Sequence, residues 1–213
     1  GRVANGTIET LSALRIRKVT PEEFQMSSFR EPVYCQLNPR DYIQRKTDLN
    51  FDLQDYYTHP EHFNSNFVPY TKMADIYIVA HFWDPRAPKM FELPDVSAKD
   101  FHISVIADIT CDVDGSVPTT IRASSIQAPF YGFNTKTNQE DLPFNKDTVC
   151  VMAVDNLPCE LPRDASDDFG KDLMERVLPK ITTEDKDQII ERATICKDGK
   201  LTPAFEYLSD YAY

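Results

Sequence analysis

The sequence has no apolar run near the roughly 18 residues that a membrane-spanning helix requires, and no signal peptide is visible. It has no excess of basic residues either. The net charge is −11, which excludes a general nucleic-acid binder that must neutralise phosphates, and an electrostatic membrane anchor. Paired cysteine spacing is missing: Cys35, Cys111, Cys150, Cys159 and Cys196 are odd in number and include no Cys-x-x-Cys. A zinc or redox motif is therefore not expected, and free thiols in a reducing compartment fit best. Internal repeats and low-complexity tracts are absent. The chain opens Gly1-Arg2-Val3-Ala4-Asn5-Gly6 without an initiator Met, as a fragment, a processed product or a truncated chain would.

What is present suffices for a packed core: 41% of the 213 residues are apolar, too many for a disordered chain. Ala4, Ile8, Leu11 and Leu14 recur at helical spacing and predict an amphipathic helix just after the glycine turn. Residues 17–20 read as a short strand stopped by Pro21. From about 34 to 69 the pattern is irregular and reads as an insertion with a binding or packing role. Within it lie His59 and His62. A His-x-x-His pair suggests a metal only when further ligands stand nearby, and no metal site is expected here.

Three short apolar runs follow, 75–80, 103–109 and 148–154. Their length and β-branched content predict strands buried on both faces, as in a parallel sheet. Each runs into a polar or aromatic cluster: His81-Phe82-Trp83, Thr110-Cys111-Asp112 and Asp155-Asn156. Ligands of open α/β sheets bind beyond the carboxyl ends of the strands, so these clusters are candidate site positions. The last third predicts a helix over 166–179, N-capped by Ser166. A polar helix over 183–196 follows, closed by Gly199.

The glycine-turn end, Gly1 to Gly6, has the form of the second half of a dinucleotide-binding motif. Gly1 would let the turn approach a phosphate, and Gly6 would let the helix pack closely. Three longer stretches carry a family resemblance. Residues 107–116 resemble the segment that ends a Rossmann strand in saccharopine dehydrogenases. Asp155-Asn156-Leu157-Pro158-Cys159-Glu160-Leu161-Pro162-Arg163-Asp164-Ala165-Ser166 resembles a highly specific stretch of that family, departing from it at Asp164. Asp55-Tyr56-Tyr57-x-His59-Pro60-Glu61 is similar to the lysine–2-oxoglutarate reductase domain of bifunctional lysine-degrading proteins. The resemblance runs in order from residue 1 to about 205.

That resemblance implies an enzyme related to alanine dehydrogenase, interconverting saccharopine with lysine and 2-oxoglutarate by hydride transfer to or from NAD(P). The implied fold is α/β, a doubly wound parallel sheet of Rossmann type lacking its first strand, with a C-terminal helical segment. Residues 1–155 would bind the dinucleotide, and 156–213 would return toward an N-terminal domain that is absent. The family's catalytic lysine and histidine lie in that absent domain, so no catalytic residue is expected here. The resemblance places Gly1 and Arg2 at the cofactor phosphates, Ala80 near the cofactor, and Ala107, Asp108 and Ile109 beside the nicotinamide. It places His81, Phe82 and Trp83 against the amino-acid substrate; Asp108 is a further candidate for a cationic substrate group.

The adenosine ribose is read at the end of the second strand, where this sequence has Thr20-Pro21-Glu22. If Thr20 is the reader, Arg17 or Lys18 favours NADP; if Glu22 is, NAD is favoured; the reading leans to NADP. The implied partners are a small amino-acid substrate and the absent domain, with a homodimer compatible. The implied compartment is the cytoplasm, with the mitochondrial matrix as the alternative. Two other readings stay open: another amino-acid dehydrogenase of the alanine dehydrogenase group, or a non-catalytic nucleotide-binding fragment.

Overall fold

The structure is a computed structural model that describes residues 2–212. Gly1 lies outside the described residues, as does the side chain of Arg2, so the phosphate roles expected of them stay outside the description below. The chain divides between Leu157 and Pro158 into two compact units.

The first unit opens with α1 (Arg2–Ala13), whose Ala4, Thr7, Ile8 and Leu11 are half-buried. It ends without a glycine. Arg15 takes the left-handed conformation (φ 58), and Ile16 N–H reaches back to the Leu11 carbonyl at 3.0 Å, a Schellman closure. Strand β1 (Arg17–Val19) follows. Thr20 then caps α2 (Pro21–Met26) through a capping box: its hydroxyl accepts from Glu23 N–H while Glu23 accepts from Thr20 N–H. Pro21 occupies the first helical position, where its missing N–H costs nothing. Strand β2 (Val33–Cys35) lies parallel to β1.

The region read as an irregular insertion is ordered by short elements. Strands β3 (Ile43–Arg45) and β4 (Phe63–Ser65) pair antiparallel. Single helical turns surround them, with Tyr42, Phe63, Phe67 and Tyr70 in the core. Aromatic packing replaces hydrophobic periodicity here, which is why the sequence carried no clean period.

The main sheet contains β5 (Ile76–Val79), β6 (Val105–Asp108), β7 (Phe130–Asn134), β8 (Gln139–Asp141) and β9 (Thr148–Met152), in the order β5-β6-β9-β7-β8. Three strands coincide with the three apolar runs. β5, β6 and β9 are parallel, but β7 runs antiparallel to β9 and β8 antiparallel to β7. The expectation of a parallel sheet is corrected to a mixed one. For the β7–β8 pair the physical reason is a tight turn, with Asn138 left-handed (φ 55), that folds β8 straight back on β7; so short a connection permits only antiparallel pairing. The centre of the sheet is sealed from water: Val79, Ile106, Phe133 and Val151 are each 0% exposed. The edge of β5 away from β6 and the edge of β1 away from β2 carry no strand among the described residues, and Ile76 on β5 is exposed.

The second unit is described by itself. Its first helix is Pro162–Asp172, beginning four residues before the expected Ser166 cap, because Pro162 at the first position is the stronger start signal. A π-turn (Leu173–Val177) precedes a helical turn at Leu178–Thr182, as Pro179 brings no N–H to the ladder. The helix expected over 183–196 shrinks to Ile189–Ala193. Gly199 does not close it. Asp198 (φ 52) and Gly199 (φ 76) form the two-residue turn of a hairpin between Cys196–Lys197 and Lys200–Leu201, the turn that Asp-Gly favours.

Candidate functional site

The carboxyl ends of β5, β6 and β9 converge on a buried polar cluster. Strand alternation sends neighbouring side chains to opposite faces, and β6 uses this to separate two roles. Ala107 and Ile109 line an open groove of about 430 Å³ together with Ile78 and the α1 residues Gly6, Thr7 and Leu11. Asp108, between them, turns the other way and is 1% exposed.

The Asp108 carboxylate is fully engaged. Oδ1 accepts from Thr110 N–H (3.1 Å), the Thr110 hydroxyl (2.5 Å) and Cys111 N–H (3.3 Å), and Oδ2 accepts from the Thr120 hydroxyl (2.6 Å). It thereby ties the end of β6 to the segment 115–120, which is buried throughout. That segment is tightly wound: Cys111 and Asp114 are left-handed, and a Cβ on Gly115 would sit 2.5 Å from Asp112 Cβ. The Thr119 hydroxyl is buried and has no hydrogen-bond partner among the described residues.

His81, at the end of β5, is half-buried, with Nε2 3.1 Å from the Ser116 hydroxyl. Ala80 precedes it, half-buried. Trp83 donates from its indole to the Pro88 carbonyl at 3.2 Å, whereas Phe82 is 88% exposed. Cys111 Sγ donates to the Ala153 carbonyl at the end of β9 (2.8 Å), joining the third strand end to the cluster. Among the expected residues, then, His81 and Asp108 meet through the 115–120 segment, Ala107 and Ile109 face the groove, and Phe82 points into solvent.

Ser116, Thr119, Thr120 and Tyr131 also belong to the cluster, though no motif marks them as site residues. Tyr131 ties the segment down: its hydroxyl donates to the Thr119 carbonyl (2.9 Å) and accepts from Ile121 N–H (3.1 Å). The available signal was the Ser/Thr content of 116–120 interleaved with Val117 and Pro118, which is unusual for a solvated loop.

Burial holds the His81 imidazole below its usual range, against an opposing pull from the Asp108 carboxylate. The neutral ring is the one the fold accommodates. Its contribution to stability is therefore present above the ordinary histidine value of about 6.5 and is lost as pH falls through the lower folded value. Urea midpoints of the native chain and of His81→Gln, compared between about pH 7 and pH 5, should converge as the pH drops. Parallel curves would show that His81 does not titrate with folding.

A second hollow, of about 450 Å³, lies at the carboxyl ends of β1 and β2, lined by Lys18, Thr20, Glu22, Glu23, Gln36 and Asp41 among others. Glu23 is committed to the Thr20 capping box and Asp41 accepts from Asn38 N–H (2.6 Å). Arg17 is neutralised by Glu31 (2.8 Å), while the Lys18 ammonium donates to the neutral Gln36 amide (2.7 Å). All five cysteines are free. Among the described residues no helix is long and apolar enough to cross a membrane.

No protein-family profile matches this chain. Individual proteins do. Over 82% of its length it is 33% identical to an alpha-aminoadipic semialdehyde synthase of Arabidopsis thaliana, covering 17% of that protein. Over 98% of its length it is 24% identical to the mitochondrial alpha-aminoadipic semialdehyde synthase of Rattus norvegicus and 23% identical to that of Bos taurus, covering 26% of each. The chain thus spans about a quarter or less of the curated relatives it matches, and what it is similar to is one part of the alpha-aminoadipic semialdehyde synthases.

Proposed function

We propose that this chain is the cofactor-binding half of a nicotinamide-dependent oxidoreductase of lysine metabolism, interconverting saccharopine with lysine and 2-oxoglutarate. The observation that carries the reading is the strand order. A single parallel strand between the edges of β1 and β5, bare among the described residues, would complete the series β2-β1-x-β5-β6-β9, the order of a doubly wound dinucleotide fold. The apolar groove between α1, Ile78, Ala107 and Ile109 suits that strand's side chains, and its end would meet the start of α1. The similarity to alpha-aminoadipic semialdehyde synthases supports the same assignment.

In this reading the nicotinamide end lies beyond Ala107 and Ile109, with Ala80 beside it. His81, Phe82 and Trp83 face the amino-acid substrate, and Gly1 and Arg2 approach the phosphates. Asp108 acts as a positioning residue that holds the 115–120 segment against the strand ends, since its carboxylate is already saturated. The acid and base belong to a domain outside this chain, so the chain binds cofactor without turning over. The mammalian relatives are named mitochondrial, and either the mitochondrial matrix or the cytoplasm supplies the reducing conditions that free cysteines need.

The adenosine ribose occupies the hollow at the ends of β1 and β2, and NADP is the preferred form. Lys18 supplies the deciding charge because its partner is neutral, whereas Arg17 is spent on Glu31. Calorimetry with NADP and NAD at one ionic strength tests this. Lys18→Ala should weaken NADP binding about tenfold, roughly 1.4 kcal/mol, and leave NAD nearly unchanged. A tenfold preference of the native chain for NAD would make Glu22 the ribose reader. Failure to bind either nucleotide once the strand between β1 and β5 is supplied would remove the cofactor-binding reading itself.

A further inference from the structure

The sequence Thr58-His59-Pro60-Glu61-His62-Phe63 forms one stiff corner. The helix Leu53–Thr58 ends with His59 N–H on the Asp55 carbonyl (2.7 Å). A single 3₁₀ turn (Pro60–His62) then closes with His62 N–H on the His59 carbonyl (3.0 Å). Pro60 is buried, Phe63 is 1% exposed, and the Phe63 ring packs edge-on against Tyr56 at 5.3 Å. The turn is therefore anchored to the core on both sides. Residues i and i+3 of a 3₁₀ turn eclipse one another, and the His59 and His62 rings accordingly stack, with centroids 5.1 Å apart and planes at 19°.

Glu61 reaches into the same space. Its Oε1 lies 3.5 Å from His59 Nδ1 and 3.8 Å from His62 Nε2, while Oε2 faces the Arg86 guanidinium at 3.9 Å. One donor atom from each of the three side chains falls within 4.8 Å of the others. Arg86 is itself clamped by Asp84 at 3.1 and 2.8 Å.

We propose that His59, Glu61 and His62 form a binding site for a divalent transition-metal ion of the zinc class, with water completing the coordination. The donor set decides the class. Two imidazole nitrogens and one carboxylate oxygen suit zinc and its first-row neighbours, whereas calcium and magnesium select all-oxygen sets. Metal bonds of about 2.0–2.2 Å place tetrahedral donors roughly 3.3 Å apart. The present separations close to that by small rotations of exposed side chains on a fixed backbone. His59 and His62 alone lack the third ligand that a metal site needs, and the turn supplies it as Glu61 from between them.

The test uses the 213-residue chain carrying Cys159→Ser and Cys196→Ser, because those two exposed thiols would compete for zinc. Zinc binding by calorimetry and the visible absorption of bound cobalt(II) are the readouts. One equivalent should bind. His59→Gln and His62→Gln should each weaken it by about tenfold or more, and Arg86→Ala, which frees Glu61 from its cationic neighbour, should tighten it. All three positions are solvent-exposed, so urea midpoints should stay near the parent's and separate ligand loss from unfolding. Binding that survives both histidine substitutions, or no saturable uptake of zinc or cobalt, overturns the site.

Discussion

Asp108→Ala should lower the stability of the first unit by about 3 kcal/mol or more. The carboxylate is 1% exposed and accepts four hydrogen bonds, and alanine leaves the buried Thr120 hydroxyl and the half-buried Thr110 and Cys111 donors with no acceptor. The cost of each unsatisfied buried donor, about 1–3 kcal/mol, outweighs the relief of no longer burying a charge. Asp108→Asn is the discriminating control. Its carbonyl can keep the Oδ1 contacts, and the Thr120 hydroxyl can turn to accept from the new amide. The expected loss is then about 1 kcal/mol. Urea unfolding with an unchanged m-value checks both. An alanine variant as stable as the parent would show that Asp108 does not tie β6 to the 115–120 segment. If Asp108 only positions that segment, Asp108→Asn should also retain nucleotide binding.

Tyr131→Ala should cost about 4 kcal/mol, within the range for deleting a buried aromatic. The ring is 1% exposed, its hydroxyl bridges the Thr119 carbonyl and Ile121 N–H, and Arg122 lies over its face at 4.6 Å. Tyr131→Phe removes only the bridge and should cost about 1–2 kcal/mol. Thermal and urea unfolding of the pair separate ring burial from hydrogen bonding. Equal losses for alanine and phenylalanine would mean that the hydroxyl carries everything and the ring nothing. Because Asp108 bonds Thr120 and Tyr131 bonds the adjacent Thr119 and Ile121, the double variant should depart from additivity by about 0.5 kcal/mol or more.

The parts of the fold that depend on near neighbours were determined by the sequence itself. The apolar runs 75–80, 103–109 and 148–154 are too short to be helices, and each contains a strand, Ile76–Val79, Val105–Asp108 and Thr148–Met152. The spacing of Ala4, Ile8 and Leu11 produced α1, and Thr20-Pro21 ended β1 and started α2 because a hydroxyl before a proline serves both ends at once. Competing local signals misled where the chain offered two of them. Asp198-Gly199 made a hairpin turn where a helix end was expected, and Pro162 outweighed Ser166 as the start of a helix.

Long-range pairing was decided only in three dimensions. The pleat of β6 sends Asp108 inward and Ala107 and Ile109 toward the α1 groove, an alternation whose sense depends on which face the partner strands and helices cover. The antiparallel β7–β8 pair of the mixed sheet follows from the turn between them, in a region where the sequence has no strong period. The 115–120 segment is buried because Asp108, Tyr131 and His81 supply its polar partners from other strands, and a buried polar loop is stable only when such partners arrive. The corner at His59, Glu61 and His62 shows the same division: the residues and their spacing are in the sequence, but packing of Pro60 and Phe63 into the core is what turns three side chains toward one point.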